Sequence, residues 1–362
     1  MSMRENDEII TMLEESAQRF LQDLQGSSGI DLWPRMAEQG WLALALPESH
    51  GGAGLGLSVA ASLIRLFGQH AVANDFIAQA VMPGSILAKV SPQQPMLEAL
   101  CEGLVSGECR ITLAWQEEID QLVPGLPNTH FSDGVLNGQK CFVPAATSAS
   151  HFLVTAVAAG EMVIVLVDRD ADGLTMRSQS ADADVVSLQF SNTPVSEESV
   201  WLRGIEAERA LQSSLQWGRV AVAAELEGLA SGCLQKTLEY IKTRMQFNKA
   251  IGSFQAIRHR CADLLIDIQL AEHSWRNAAT LFELNDGDTQ CASSAAKSRC
   301  ADVAFKVAKE SVQMHGAMGF TEEAGIGSYM RSSIRLGAWL GSTQQHRRLM
   351  IQSELSKGSS HE

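Results

Sequence analysis

Positive charge is scarce in this sequence: 28 Lys and Arg stand against 42 Asp and Glu, for a formal net charge of −14. That balance excludes nucleic acid and an anionic membrane as main partners. Cysteine is sparse and scattered, with seven residues and no CxxC pair. An odd, dispersed set fits reduced thiols acting as small apolar fillers, so neither a disulfide framework nor a metal site is expected. No run approaches the ~18 consecutive apolar residues that a membrane span needs. The opening stretch, MSMRENDEIITMLEE, lacks the apolar core of a signal peptide. A cytoplasmic location is therefore expected. There is no internal repeat. What is present is ordinary for a globular protein: 362 residues, 45% hydrophobic and 19% charged, enough for two or three packed units.

The periodicity of apolar residues changes twice along the chain. Residues 1–108 carry helical spacing, with Ile9, Ile10, Leu13, Ala17, Phe20 and Leu24 as the first stripe. The run Gly51-Gly52-Ala53-Gly54-Leu55-Gly56 suggests a nucleotide fingerprint, but no buried strand precedes it. It reads as a structural turn. From 109 to 205 short β-branched or apolar stretches alternate with Gly, Asp and Asn, as in RITLAW, HFLVTAVA and EMVIVLVD. The gaps are too short for crossover helices, which implies an antiparallel sheet or barrel-like domain. From 206 to 362 helical spacing returns. Leu211, Leu215, Val222, Leu226, Leu229, Cys233 and Leu238 form one stripe, and Phe254, Ile257, Cys261, Leu264, Ile268, Ala271, Trp275, Ala278 and Leu281 form the next. The expected α+β chain thus has an N-terminal helical domain, a middle β domain and a C-terminal four-helix bundle.

Between those two stripes lies YIKTRMQFNKAIGSFQ, from Tyr240 to Gln255. Arg244 at such a helix–helix corner could hold a pyrophosphate, because a guanidinium matches phosphate oxygens as a planar fork. The residues alone favour a solvated connection with a surface arginine.

The segment RMQFNKAIGSFQ resembles the R-x-Q-F-G-x-x-I-x-x-F-Q signature of the acyl-CoA dehydrogenase family, with Asn248 in place of glycine. QMHGAMGF at Gln313–Phe320 is similar to the family's Q-x-x-G-G-x-G-Y, and LPESHGG at Leu46–Gly52 to its P-E-x-x-G-G. The resemblance spans roughly residues 5–350. It implies the helix–β–helix architecture, FAD, assembly into oligomers, an acyl-CoA thioester substrate and an electron-transfer flavoprotein as electron acceptor. The chain is most similar to small subunits of dicarboxylyl- or pimeloyl-type heteromeric acyl-CoA dehydrogenases.

Members of this family remove the α-proton of the thioester with a glutamate while the β-hydrogen leaves as hydride to the flavin, which requires a carboxyl tuned by burial. In the commonest arrangement that glutamate lies nine residues after an arginine. Here Arg331 plus nine is Leu340, followed by Gly341. The family's other location precedes an arginine early in the first bundle helix, and here it is Gly218 before Arg219. Neither residue can move a proton. Glu225 lies ~10 Å further along the helix, too far for the same proton. Glu322 and Glu323 read as solvated.

The flavin-side motifs also depart from the family. T-E-P-x-A-G-S-D has become QEEIDQLV from Gln116, and K-x-W-I-T has become KCFVP, leaving Phe142 as a ring shield and Pro144 without a donor. By contrast, Arg244, Phe247, Gln255, Gln313 and Gly316 keep the pattern that reaches a partner's FAD. Ser342 and Gln344 match contacts to the chain's own FAD. The resemblance therefore implies a subunit that completes FAD sites in a glutamate-bearing paralogue. Two alternatives stay open: a self-sufficient FAD-dependent dehydrogenase or flavin oxidase with an atypical base, and a non-catalytic homo-oligomer that binds CoA esters or acts as a scaffold.

Overall fold

The computed structural model describes residues 3–23, 31–179, 185–285 and 288–359. The chain runs helices, strands, helices, as the changes of period imply. It forms two compact units, one of residues 28–56 and 74–218 and one of residues 1–27, 57–73 and 219–362.

The first unit holds α2 (Trp33–Glu38), α4 (Met82–Leu87), α5 (Leu97–Ser106) and an eight-stranded sheet. Its strands are β1 (Ile111–Ala114), β2 (His130–Ser132), β3 (Val135–Pro144), β4 (His151–Ala158), β5 (Glu161–Asp168), β6 (Leu174–Ser178), β7 (Val185–Pro194) and β8 (Val200–Arg203). The order is β6-β7-β3-β2-β4-β5-β8, with β1 paired to β4 off this path. Most pairs are antiparallel, as expected, but β1 and β2 both run parallel to β4. No crossover helix is needed, because the link from β1 to β4 passes through β2 and β3 of the same sheet. The edge strand β6 is not legible in the sequence. None of its residues is fully buried, so it lacks the near-continuous apolar run that marks β4 and β5. The sheet core gathers Phe131, Leu136, Phe152, Val154, Val165 and Phe190. The glycine-rich run is a turn, as expected: Gly51 takes φ +74°, and a Cβ on Gly52 would sit 2.1 Å from the Leu46 carbonyl oxygen.

The second unit holds α1 (Met3–Asp23), α3 (Gly56–Gln69), the larger part of α6 (Gly204–Thr243), α7 (Gln255–Leu284), α8 (Thr289–His315), α9 (Ile326–Ala338) and α10 (Thr343–Ser359). α7 buries Cys261, Leu264, Ile268, Ala271, Trp275 and Ala278, the stripe read from sequence. α6 differs from an amphipathic helix. Arg219 through Ala230 are buried on every face, which the small residues of VAVAAELEGLA permit.

Close packing of α3 on α6 depends on glycine. A Cβ on Gly228 would lie 1.9 Å from the Arg65 carbonyl oxygen, and one on Gly232 would lie 1.8 Å from that of Gln69. Beside this crossing, Glu227 is fully buried and accepts hydrogen bonds from Arg65 Nε (2.7 Å), Ser231 Oγ (2.8 Å) and Trp275 Nε1 (3.4 Å). Gly228→Ala is expected to destabilise the fold by about 3 kcal/mol, since the obstacle is backbone and cannot rotate away. Denaturant titration checks this, and an unchanged midpoint would show that the helices separate freely.

Candidate functional site

Leu340 and Gly218, the two positions to which the resemblance assigns a base, carry no ionisable side chain. Gly218 is a buried residue within α6. Leu340 is half-buried in the turn between α9 and α10, with φ +57°, and Gly341 follows at φ +108°. The left-handed region is uncommon for leucine, so this turn needs external support.

Two buried side chains supply it. Lys297 Nζ, from α8, donates to the carbonyls of Gly337 and Gly341, both at 3.0 Å. His346, from α10, hydrogen-bonds the Leu340 carbonyl through Nε2 at 3.0 Å. Both are 0% exposed. Burial, with the charge of Arg219 added, pulls the Lys297 ammonium down to about 7. Burial, then Arg219 and Lys297, press His346 to about 3, so its imidazole is neutral and donates from Nε2. Lys297 was not singled out in the sequence. A signal existed for Lys297, which shares a helical face with Ala301, Ala304 and Ala308 in an otherwise apolar stripe.

Of the carboxylates weighed as substitutes, Glu322 and Glu323 are exposed, and Glu225 is buried within the α6 segment packed against α3. No group of His, Cys, Asp or Glu able to hold a metal occurs among the described residues.

The corner after α6 is a miniature hairpin of β9 (Met245–Gln246) and β10 (Lys249–Ala250). Phe247 and Asn248 form its tip at φ +51° and +60°. That explains the family's glycine at 248, because asparagine also tolerates this region. Phe247 is 86% exposed and meets Phe254 edge-on, with centroids 6.3 Å apart. Arg244 is exposed, with no salt bridge among the described residues.

The turn after α8 is brought to the same end of the bundle. Tyr240 stacks on His315 at 4.2 Å, and α7 meets α8 through Cys261 and Met314. Arg244, Phe247, Gln255, Gln313 and Gly316 therefore share one solvent-facing end. Ser342 and Gln344 do not join them. They flank Thr343, the first residue of α10, whose Oγ1 donates to the Ser298 carbonyl, about 22 Å along α8 from Gln313.

In the other unit, the flavin-side motifs are engaged within the protein. Gln116 Nε2 donates to the carbonyls of Glu118 (2.7 Å) and Ile119 (3.1 Å) on its own turn. Phe142 sits in an irregular stretch of β3 at φ +53°, its N–H donated to Gln179 Oε1 at 2.7 Å. Beneath them is a buried ion pair, Lys140 Nζ to Glu117 Oε1 at 2.6 Å, with Thr155 Oγ1 accepting from Lys140 at 3.0 Å. Thr129 N and Oγ1 and Asn128 N also donate to Glu117. Burial alone would raise the Glu117 carboxyl, but the hydrogen bond and charge of Lys140 outweigh it and hold it at about 2. Burial draws Lys140 down to about 8, so the pair is charged at neutral pH.

FAD is therefore matched unevenly. An exposed, uncommitted guanidinium and aromatic suit its phosphate and adenine portions, whereas Gln116 is occupied by carbonyls and Pro144 has no donor for the flavin ring.

The helical ends of the chain fit one class of protein. The C-terminal domain of acyl-CoA dehydrogenases matches residues 208–355, and the N-terminal domain of the same class matches residues 7–90. The chain belongs to the acyl-CoA dehydrogenase family, with its helix–β–helix fold, and is an acyl-CoA dehydrogenase-like flavoprotein. It is 28% identical to a probable acyl-CoA dehydrogenase, YngJ, of Bacillus subtilis, over 92% of each chain. It is 25% identical to the caffeyl-CoA reductase-Etf complex subunit CarC of Acetobacterium woodii, over 97% of this chain and 93% of that one. Among solved structures, a steroid acyl-CoA dehydrogenase, Tcur3481-Tcur3483, superimposes with a TM-score of 0.84 and 28% identity, covering 98% of this chain and 99% of that one. No helix among the described residues is long and apolar enough to cross a membrane.

Proposed function

We propose that this chain is the base-free subunit of a heteromeric, FAD-dependent acyl-CoA dehydrogenase. The observation that carries this is a contrast within one chain. The base positions are Leu340 and Gly218, while Arg244, Phe247, Gln313 and Gly316 remain exposed together at one end of the bundle. Residues needed at a chain's own flavin ring are replaced, and residues able to reach a neighbour's cofactor are kept. The steroid relative is itself a pair of differently named chains, which supports a two-chain assembly here. The partner is a paralogue bearing the glutamate, the substrate an acyl-CoA thioester, and the electron acceptor an electron-transfer flavoprotein, all in the cytoplasm.

Arg244 tests the assembly. A charge-assisted hydrogen bond to a phosphate is worth about 1.5–3 kcal/mol, or roughly ten- to a hundredfold in affinity. Arg244→Ala is expected to lower FAD retention of the co-purified complex by that factor while the melting temperature of the apo chain stays put. Arg244→Lys should recover only part, because an ammonium lacks the two-pronged geometry. FAD content measured by absorbance decides. Full retention in the alanine variant would make Arg244 an ordinary surface residue.

A further inference from the structure

We propose that Tyr240 and His315 are positioning residues: their stacked rings tie the end of α6 to the end of α8 and so set the spacing between Arg244 and Gln313 at which a partner's FAD is gripped. The inference rests on the FAD-lending reading above and adds two residues that do not themselves touch the cofactor.

Arg244 and Gln313 come from different elements and are both exposed. The stack lies just behind them. Tyr240 precedes Arg244 by one helical turn, and its carbonyl accepts from Arg244 N at 2.9 Å. His315 follows Gln313 by two residues and immediately precedes Gly316. The two rings lie 4.2 Å apart at 18°. Tyr240 Oη also donates to the His315 carbonyl at 3.4 Å.

Each ring is anchored in its own element. His315 is 6% exposed, and its Nδ1 donates to the Ser311 carbonyl at 2.8 Å, which fixes the ring. Burial, opposed by that hydrogen bond and joined by the charge of Lys236, keeps the imidazole below its ordinary 6.5, so a neutral ring faces Tyr240 at pH 7. The turn that follows is pressed against α8, since a Cβ on Gly319 would lie 2.8 Å from the Val312 carbonyl oxygen. On the other side, Arg244 O accepts from Ile251 N at 2.9 Å, and a Cβ on Gly252 would lie 3.0 Å from the Ile241 carbonyl oxygen. The Arg244 hairpin is thus fixed to α6 and the Gln313 turn to α8. A charged fork and an amide grip one ligand well only at a fixed separation, and the stack is the cross-tie that holds it.

The test is calorimetric titration of FAD into the purified complex after its cofactor is stripped. Tyr240→Leu and His315→Ala are each expected to weaken binding about two- to tenfold, the range set by one aromatic pair. His315→Phe, which keeps a ring, should bind FAD like the wild type. The decisive comparison is a double-mutant cycle with Arg244→Ala. Once the guanidinium is gone, Tyr240→Leu should cost little more, because Tyr240 acts through Arg244. A merely structural role would give losses that multiply, and a His315→Phe variant no better than His315→Ala. If Tyr240→Leu does not fold, the cycle of His315→Ala with Arg244→Ala makes the same comparison. Multiplying losses, or full binding in both variants that remove a ring, would overturn the positioning role and leave the lending reading standing. FAD binding unchanged by Arg244→Ala would overturn that reading and this proposal with it.

Discussion

The purified chain, supplied with FAD and an acyl-CoA thioester at neutral pH, is expected to reduce an artificial electron acceptor some 10²–10⁴-fold more slowly than a glutamate-bearing relative. That range is the usual contribution of a positioned general base. Leu340 and Gly218 offer no proton acceptor, and Glu225, Glu322 and Glu323 are committed to packing or solvent. Restoring a carboxyl with Leu340→Glu is expected to return little. Gln116 is bonded to its own turn and Pro144 has no donor, so the residues that the resemblance assigns to the flavin ring offer it no hydrogen bonds. Steady-state dye reduction measures both. Robust turnover by the isolated wild-type chain would show that another residue acts as base, and a Leu340→Glu variant as fast as ordinary relatives would show that the flavin face is intact.

Lys140→Met should be the most damaging single change in the unit that contains the sheet. It leaves Glu117 ionised beside a core with only Thr129 and Asn128 as donors. Removing one partner of a buried pair costs about 3–5 kcal/mol. The pH dependence fixes the sign. The carboxyl sits at about 2 in the folded chain against the ordinary value of 4.5, so its stabilising contribution is complete above 4.5 and is lost as pH falls from there through about 2. Urea titration across that window should show a stability loss in the wild type that Lys140→Met largely abolishes. Equal acid sensitivity in both proteins would mean that other carboxylates dominate.

Much of this architecture was legible because it is written in local period. The changes near residues 109 and 206, the α7 stripe and the exposed RMQF corner all depend on neighbours within a few positions. The parallel pairing of β1 with β4 was not legible, since register between distant strands leaves no local mark. Nor was the pair of Glu117 and Lys140, which are remote in sequence and meet only through the fold. The support under Leu340 was hidden differently. Lys297 and His346 act on backbone carbonyls, and a carbonyl belongs to every residue, so no motif identifies the partner. Family spacing, by contrast, pointed to Leu340 and Gly218, neither of which carries an ionisable group.

The helical unit is assembled from three separate stretches of chain, residues 1–27, 57–73 and 219–362. On the ribosome this imposes an order. The helix over Gly56–Gln69, with its apolar face of Leu63, Ile64 and Phe67, emerges long before the α6 glycines that receive it. Everything from Asn74 to Gly218 must be made first, and that span belongs to the other unit. The sheet-bearing unit can therefore be completed while the early helices still wait with greasy surface uncovered, a period in which chaperone capture or pairing with a co-translated sister chain competes with self-assembly.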